Sequence, residues 1–171
     1  GDRDPPASLL AHAAALGAPV CLLARDYDHR AEAMQWQYRG PGGPRFGLPH
    51  PALRGAHQLD NAATALAAIG LMQERLPVSA GAVRDGLLGV ELAGRLQALP
   101  GRPAVVLDVA HNPHAAGVLA AALGTMGFHR ETRAVFGMLA DKDIAGVVRA
   151  MTPRIDRWYV ATLPGPRGAA A

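Results

Sequence analysis

Residues 105–113 carry a carboxylate, an imidazole and an amide directly after a short apolar run. The run is typical of a strand, and Asn112 and Pro113 are preferred residue types at the start of a helix. The pattern therefore predicts a strand, a polar turn and a helix, with Asp108 and His111 at the carboxyl end of the strand. Ligands bind at that edge of open α/β sheets, and helix starts attract anions. Two interpretations stay open: a site for a phosphate- or carboxylate-bearing ligand, or a helix cap with no ligand.

The elements around this turn alternate between strands and helices. Such alternation predicts an α/β fold with a parallel, doubly wound sheet in the second half of the chain. A change of pattern at 91–94 suggests two domains, 1–92 and 93–171, and both ends of the chain look truncated. Helices are predicted at 7–16, 59–74, 79–88, 114–126 and 144–151, and strands at 20–24, 35–38, 104–108, 133–137 and 157–162; a turn at 40–44 leads to an extended piece at 45–53.

Composition excludes several classes of protein. Half of the 171 residues are hydrophobic, yet no apolar run approaches the roughly 20 residues that span a bilayer. The first residues lack the apolar core of a signal peptide. Arginines are scattered rather than clustered, and the net charge is only +3, so no nucleic-acid surface is indicated. The single cysteine, Cys21, fits a reducing cytoplasm and a buried, unreactive thiol.

Four motifs occur in a fixed order along the chain. They are Gly-Ala-His-Gln-Leu-Asp-Asn-Ala-Ala-Thr-Ala-Leu at 55–66, Gly-Arg-Leu-Gln at 94–97, Asp-Val-Ala-His-Asn-Pro at 108–113, and Phe-Gly-Met-Leu-Ala-Asp-Lys-Asp at 136–143. Together they resemble the C-terminal half of folylpolyglutamate synthase, including the bacterial bifunctional dihydrofolate synthase form, in the Mur ligase superfamily. The resemblance covers nearly the whole chain. The third motif marks the superfamily, whereas the first and fourth favour the folate branch.

The resemblance implies a fold and an activity. The fold would be the end of an ATP-binding, Mur-ligase-type central domain over 1–92, followed by a Mur ligase C-terminal α/β domain over 93–171 that is incomplete at its end. The activity would be ATP- and magnesium-dependent ligation, in which a folate or dihydropteroate carboxylate becomes an acyl phosphate and the amine of L-glutamate attacks it. The whole enzyme is expected to be cytoplasmic and monomeric.

The resemblance also implies roles for individual residues. Asn61 matches the adenine-contacting asparagine, and Arg95 matches the arginine that reaches the nucleotide phosphates. Asp108 matches the carboxylate that holds the ribose hydroxyls. His111 is the candidate catalytic residue, next to the incoming glutamate or the acyl phosphate. Lys142 has two open interpretations, an anion contact or an ordinary surface turn.

Some expected features are missing from these 171 residues. No Gly-x-x-x-x-Gly-Lys-Ser/Thr phosphate loop occurs in them. The family carries that loop and its magnesium ligands upstream, so the isolated chain is predicted to bind ATP weakly and to lack ligase activity. The histidines show no metal-ligand spacing, and His57 is interpreted as structural, so no metal site is predicted here.

Two alternative functions remain at this stage. One is a Mur-type ligase for another amino acid, which the amino-acid dependence of ADP formation would reveal. The other is a non-catalytic nucleotide-binding module, which would be favoured if no phosphate loop were encoded upstream.

Overall fold

The helices and strands of this chain fall into two groups along the sequence. The computed structural model describes residues 2–55, 57–127 and 129–171. Its contacts separate unit 1, Gly1–Leu92, from unit 2, Ala93–Ala171. Both units mix helices with strands, so the predicted α/β class is confirmed. Within the described ranges, none of the helices has the length and apolar character needed to cross a membrane.

Unit 1 combines an antiparallel sheet with three helices. The sheet has the strand order β1-β2-β3, and the predicted turn at 40–44 joins its second and third strands. In chain order the elements are α1 (Ala7–Ala15), β1 (Asp28–Ala31), β2 (Trp36–Arg39), β3 (Arg45–Leu48), α2 (Gln58–Leu71) and α3 (Ala80–Gly89).

The core of unit 1 is centred on β2. Trp36 and Tyr38 are almost fully enclosed and belong to the same cluster as Leu66 of α2 and Val83 of α3. The indole N–H of Trp36 donates to the carbonyl of Pro49 at 2.9 Å, so this buried donor has its partner. β2 is the middle strand of the sheet. Replacing a buried aromatic side chain of this size by alanine typically costs about 3–5 kcal/mol, so we expect β2 to contribute strongly to the stability of the unit.

The hairpin turn lies directly against α2. A Cβ added to Gly42 would lie 2.9 Å from the Cα of Gly70, and a Cβ added to Gly70 would overlap the carbonyl of Pro41. Gly42 also has a φ of 79°, a left-handed conformation that favours glycine. Neither position can therefore accept a side chain without moving the turn.

The strand predicted at 20–24 is not formed. Leu23 makes only an isolated bridge with Tyr27. The chain reverses at once, because Ala24 has a φ of 70° and the carboxylate of Asp26 accepts the N–H of Leu22 at 2.7 Å. The apolar run suggested a buried strand, but the aspartate builds a local turn that competes with strand pairing.

Unit 2 contains an antiparallel pair and a parallel pair of strands. β4 pairs antiparallel with β5, and β6 pairs parallel with β7. In chain order the elements are β4 (Gln97–Leu99), β5 (Val105–Leu107), α4 (Pro113–Thr125), β6 (Arg133–Phe136), α5 (Ile144–Met151), a 3₁₀ turn (Thr152–Arg154) and β7 (Arg157–Val160).

The sequence predicts one parallel sheet formed by the strands at 104–108, 133–137 and 157–162, and the structure contains only part of it. Among the described residues, β5 has its partner in β4 rather than in β6. The two strands of that hairpin are three residues each and are joined by a short connection, so their pairing requires little loop-closure entropy. The sequence pattern missed this pair because three residues are too few to show a strand period.

Both helices that follow strands in unit 2 begin as their sequences predict. The side-chain oxygen of Asn112 accepts the N–H of Ala115 at 2.8 Å, and that of Asp143 accepts the N–H of Gly146 at 2.8 Å. The two helices pack on each other through small and apolar residues. That core contains Ala116, Ala120, Met138, Val147 and Met151, with Phe136 and Trp158 edge to face beside it.

Candidate functional site

Asp108 joins two motifs that are separate in the sequence. Its Oδ2 accepts the backbone N–H of Leu96 at 2.8 Å, and its Oδ1 accepts the N–H of Ala110 at 2.8 Å. The N–H of Val109 also donates to the carbonyl of Gly94 at 2.9 Å. The Gly-Arg-Leu-Gln loop and the Asp-Val-Ala-His-Asn-Pro turn therefore lie side by side in unit 2.

The Gly-Arg-Leu-Gln loop has a strained backbone. Leu96 has a φ of 46°, although it is neither glycine nor asparagine, and its side chain is buried. Gly94 has a φ of 68°, and its N–H donates to the side-chain oxygen of Gln97 at 3.2 Å. Such backbone conformations cost of order 1–3 kcal/mol and persist where the surroundings enforce them, often at functional sites. Here the enforcing contacts are the Asp108 carboxylate and the burial of Leu96.

Arg95 is displayed by this loop. Its side chain is exposed, and no hydrogen bond or ion pair to its guanidinium is found within residues 2–55, 57–127 and 129–171. A guanidinium offers a planar fork of donors and stays charged at every physiological pH, which suits phosphate oxygens. The loop thus presents an available cation next to Asp108.

His111 stands on the same turn as Asp108, with its ring exposed. Its Nδ1 lies 3.1 Å from the carbonyl oxygen of Val109. Because a carbonyl only accepts, this contact assigns the proton to Nδ1 and leaves the lone pair of Nε2 facing outward in the neutral ring. Nε2 can then accept a hydrogen bond from an amine.

The fourth motif lies beside this turn. Gly146, in the first turn of α5, is so close to α4 that an added Cβ would lie 2.6 Å from the Cγ of Pro113. Lys142 immediately precedes α5 and is half-buried, with no hydrogen bond to its ammonium found in the described part of the chain. The structure therefore gathers the second, third and fourth motifs in one region of unit 2.

Sequence reasoning missed the partner of this fourth motif. Arg167 donates to the carboxylate of Asp141 at 2.7 Å, and the hydrogen bond from this guanidinium lowers the pKa of Asp141. The backbone N–H of Ala140 also donates to the carbonyl of Arg167 at 2.8 Å. The signal in the sequence was Gly-Pro-Arg-Gly at 165–168, a turn after the last strand that is easily taken for a connector.

Asn61 lies in unit 1, in the first turn of α2. Its side chain is exposed and borders a cavity of about 280 Å³ lined by residues of α2 and α3 together with Pro51, Leu53, Val78 and Val90. The walls are apolar except for Asn61 and Gln58, and the Nδ2 of Asn61 donates to the Oε1 of Gln58 at 3.1 Å. Ala56, within the same motif, lies outside the described residues.

A charged cluster on another side of α2 fixes the start of this helix. Asp60 accepts hydrogen bonds from His29 at 2.9 Å and from Arg3 at 3.2 Å, and Arg3 also contacts Asp28 at 3.2 Å. Burial alone would raise the pKa of Asp28, but the N–H of His29 and the charge of Arg3 lower it. The cluster ties α2 to β1, and sequence reasoning did not find it because its members are far apart in the chain.

The remaining sequence predictions concern metal binding, the role of His57 and the state of the Cys21 thiol. Across the residues that the structure describes, no group of three His, Cys, Asp or Glu side chains could hold a metal ion. The ring of His57 lies 3.1 Å from the amide nitrogen of Gln58, a contact within unit 1. Cys21 is half-buried, and burial raises the pKa of its thiol.

Comparisons with known proteins agree with these motifs. The family model of the Mur ligase glutamate ligase domain matches residues 94–171. The dihydrofolate synthase/folylpolyglutamate synthase of Escherichia coli is 37% identical over 171 residues, which is 100% of this chain and 39% of that protein.

Solved structures of such synthases are similar to this chain over nearly its whole length. E. coli FolC in complex with DHPP and ADP has a TM-score of 0.86 at 36% identity, covering 99% of this chain and 40% of that one. A bifunctional folylpolyglutamate synthase/dihydrofolate synthase with Mn, AMPPNP and L-glutamate bound has a TM-score of 0.82 at 40% identity, covering 98% and 39%. The chain thus spans about two fifths of the length of these proteins. It belongs to the dihydrofolate synthase/folylpolyglutamate synthase family of Mur ligases and corresponds to its C-terminal portion.

Proposed function

We propose that this chain is part of an ATP-dependent ligase that joins L-glutamate to a folate or dihydropteroate carboxylate. In this proposal residues 1–92 end the ATP-binding central domain, and residues 93–171 form the Mur ligase C-terminal domain. The names and bound molecules of the relatives support the substrate class. The phosphate loop and the magnesium ligands would lie in the portion of such enzymes that these 171 residues do not cover.

Three residues would contact the nucleotide. The exposed guanidinium of Arg95 would hold phosphate oxygens, because it is charged and has no competing partner within the described residues. Asp108 would accept the ribose hydroxyls; each carboxylate oxygen has a second lone pair beyond the backbone bond that it already accepts. Asn61 would contact the adenine edge, since a carboxamide both donates and accepts.

His111 would contact the second substrate. In the reaction, a carboxylate oxygen takes the γ-phosphoryl group of ATP and ADP leaves. The amine of glutamate then attacks the acyl carbon, inorganic phosphate leaves, and the amine loses a proton. The outward lone pair of His111 Nε2 is suited to hold an amine N–H and to orient it toward the acyl carbon.

The observation that carries this proposal is the pair of hydrogen bonds that the carboxylate of Asp108 accepts from the backbone N–H groups of Leu96 and Ala110. These bonds hold Arg95, Asp108 and His111 on two adjoining loops, and this proximity supports the proposal that a guanidinium, a carboxylate and an imidazole act at one site. A helix cap without a ligand would need neither the strained loop nor the unpaired guanidinium.

A chimera tests the proposal. These 171 residues replace the matching part of the E. coli relative, and ADP release is measured with ATP, dihydropteroate or folate, and one amino acid at a time. Release that requires L-glutamate, and whose KM for ATP rises in the Arg95→Ala chimera, supports the proposal. Release that follows another amino acid, or a purified, folded chimera that hydrolyses no ATP with any of them, overturns it.

A further inference from the structure

We propose that Gln58 is a positioning residue that fixes the amide orientation of Asn61 and thereby makes the site prefer adenine over guanine. This inference rests on the proposed function, because it concerns the residue to which adenine contact is assigned there. Gln58 itself is not required to touch the base.

Gln58 is unusual for its burial. The residue is 6% exposed, and it is the only buried polar or charged residue among those the structure describes. A buried amide that lacks a partner costs roughly 1–3 kcal/mol, so such a residue persists where each of its polar atoms is satisfied. Both polar atoms of this amide have partners: its nitrogen faces hydrogen-bond acceptors, and its oxygen faces a donor.

The partners determine which end of the Gln58 amide faces Asn61. The Nε2 of Gln58 lies 3.4 Å from the carbonyl oxygen of Arg54 and 3.1 Å from the Nε2 of His57. A carbonyl can only accept, so the nitrogen of Gln58 must face Arg54. Its Oε1 therefore faces Asn61 and accepts the Nδ2–H of that residue at 3.1 Å.

The hydrogen bond to Gln58 in turn fixes the orientation of the Asn61 carboxamide. With one Nδ2–H held by Gln58, Asn61 keeps its Oδ1 and its second N–H for a ligand. Adenine presents an amino donor beside the N7 acceptor, which matches this pair, whereas guanine presents two acceptors, O6 and N7. Without Gln58, both N–H groups of Asn61 are free, and a carboxamide with two free donors can serve the two acceptors of guanine.

The surrounding cavity makes this single contact decisive. It is lined by apolar side chains such as Leu53, Ile69 and Leu87, with Gln58 and Asn61 as its polar groups. Its volume of about 280 Å³ lies near the lower limit of small-molecule sites, a size suited to one planar ring system. Apolar walls bind adenine and guanine alike, so discrimination between the bases falls to Asn61.

The test is made on the 171-residue chain by NMR. ATP and GTP are titrated separately without metal, and dissociation constants are taken from the shifts of the Asn61 and Gln58 side-chain amide signals, or of backbone signals of α2 in the variants. Gln58→Met has the same length without hydrogen-bonding atoms, and Gln58→Glu keeps an acceptor for Asn61. Gln35→Met, the same substitution at an exposed glutamine of unit 1 outside the cavity, is the matched control.

The expected result is a loss of base preference in one variant. Gln58→Met should reduce the ratio of GTP to ATP dissociation constants by about tenfold, whereas Gln58→Glu and Gln35→Met should keep it. An unchanged ratio in folded Gln58→Met overturns the inference. If Gln58→Met does not fold, Gln58→Ala, which also removes the acceptor, decides: loss of the preference supports the inference and retention overturns it.

A further variant separates this inference from the proposed function. If Asn61→Ala leaves ATP binding unchanged, the adenine assignment of Asn61 fails, and the inference about Gln58 fails with it. If Asn61→Ala weakens ATP binding but Gln58→Met keeps the base preference, only the role of Gln58 is wrong.

Discussion

The carboxylate of Asp108 accepts the backbone N–H of Leu96 at 2.8 Å, twelve residues earlier in the chain. The residue proposed to hold the ribose hydroxyls therefore also holds the loop that displays Arg95. The two proposed nucleotide contacts are mechanically coupled, because a change at Asp108 alters both the proposed hydroxyl acceptor and the loop that carries Arg95. The strained φ of Leu96 makes this coupling stronger, since the loop would relax without the carboxylate.

Replacing Asp108 should affect stability and activity together. Asp108→Ala removes two backbone hydrogen bonds and should lower the free energy of unfolding of the chain by about 1–3 kcal/mol, measured in urea. In the chimera with the E. coli relative, kcat/KM for ATP should fall at least about tenfold, because a transition-state contact worth about 1.4 kcal/mol is lost. Asp108→Asn keeps one acceptor oxygen, so its free energy of unfolding and its kcat/KM for ATP should lie between those of the wild type and of Asp108→Ala. An Asp108→Ala variant with the same free energy of unfolding as the wild type would contradict the coupling.

Replacing Arg95 should affect activity alone. Its guanidinium is exposed and makes no contact within the described residues, so Arg95→Ala should change the free energy of unfolding by no more than about 0.5 kcal/mol. In the chimera, the KM for ATP should rise at least about tenfold, with partial recovery in Arg95→Lys. Arg102→Ala, an exposed arginine of the same unit, is the matched control and should behave as wild type. Equal effects of the two alanine variants would argue against a phosphate contact.

Removing the cap of α4 should destabilise unit 2 by a modest amount. Asn112 accepts the N–H of Ala115 at 2.8 Å, and loss of such a cap costs about 1 kcal/mol. Asn112→Ala should therefore lower the urea midpoint, whereas Asn112→Ser should retain most of the stability because serine also caps. If alanine and serine were equivalent, the capping hydrogen bond would not matter in solution.

Tyr38 should titrate at unusually high pH. Burial raises its pKa to about 12, and the nearby Cys21 thiol adds to the effect. In the unfolded chain the phenol would ionise near pH 10, so the folded state holds this proton more firmly. The stability that Tyr38 contributes is thus present below pH 10 and is lost as the pH rises toward 12. Ultraviolet titration should show a late phenolate step that Tyr38→Phe abolishes and Tyr159→Phe retains.

The isolated chain should not act as a ligase. It lacks a phosphate loop, and none of its described side chains form a metal-binding trio. Mixing it with ATP, magnesium, folate and L-glutamate should release no ADP above the rate without glutamate. Glutamate-dependent release by the purified 171 residues alone would show that the chain holds a complete active site.

The predictions that succeeded rest on local chemistry. The helix starts at Ser79 and Asn112 were predicted because a capping side chain and its N–H partner are three residues apart. The bounds of helix 144–151 were also predicted correctly, and the structure shows Asp143 as its cap. Such signals do not depend on the rest of the fold, so one sequence is enough to find them.

The predictions that failed depend on contacts between distant residues. The apolar run at 20–24 matched a strand, and only the position of the Asp26 carboxylate shows why it turns instead. The burial of Gln58 and the left-handed φ of Leu96 leave no mark in composition or periodicity. Roles for Asn61 and Arg95 came from the family resemblance, and the structure adds what each of them can reach.

The close approach of Gly42 to Gly70 has a practical consequence for protein engineering. A Gly-rich hairpin tip is usually the first choice for an epitope tag, a dye-attachment cysteine or a fused reporter. In this chain the tip lies against α2, which carries the proposed adenine contact in its first turn. A tag or label inserted at the tip would therefore displace α2 and disturb the site that it was meant to leave unchanged.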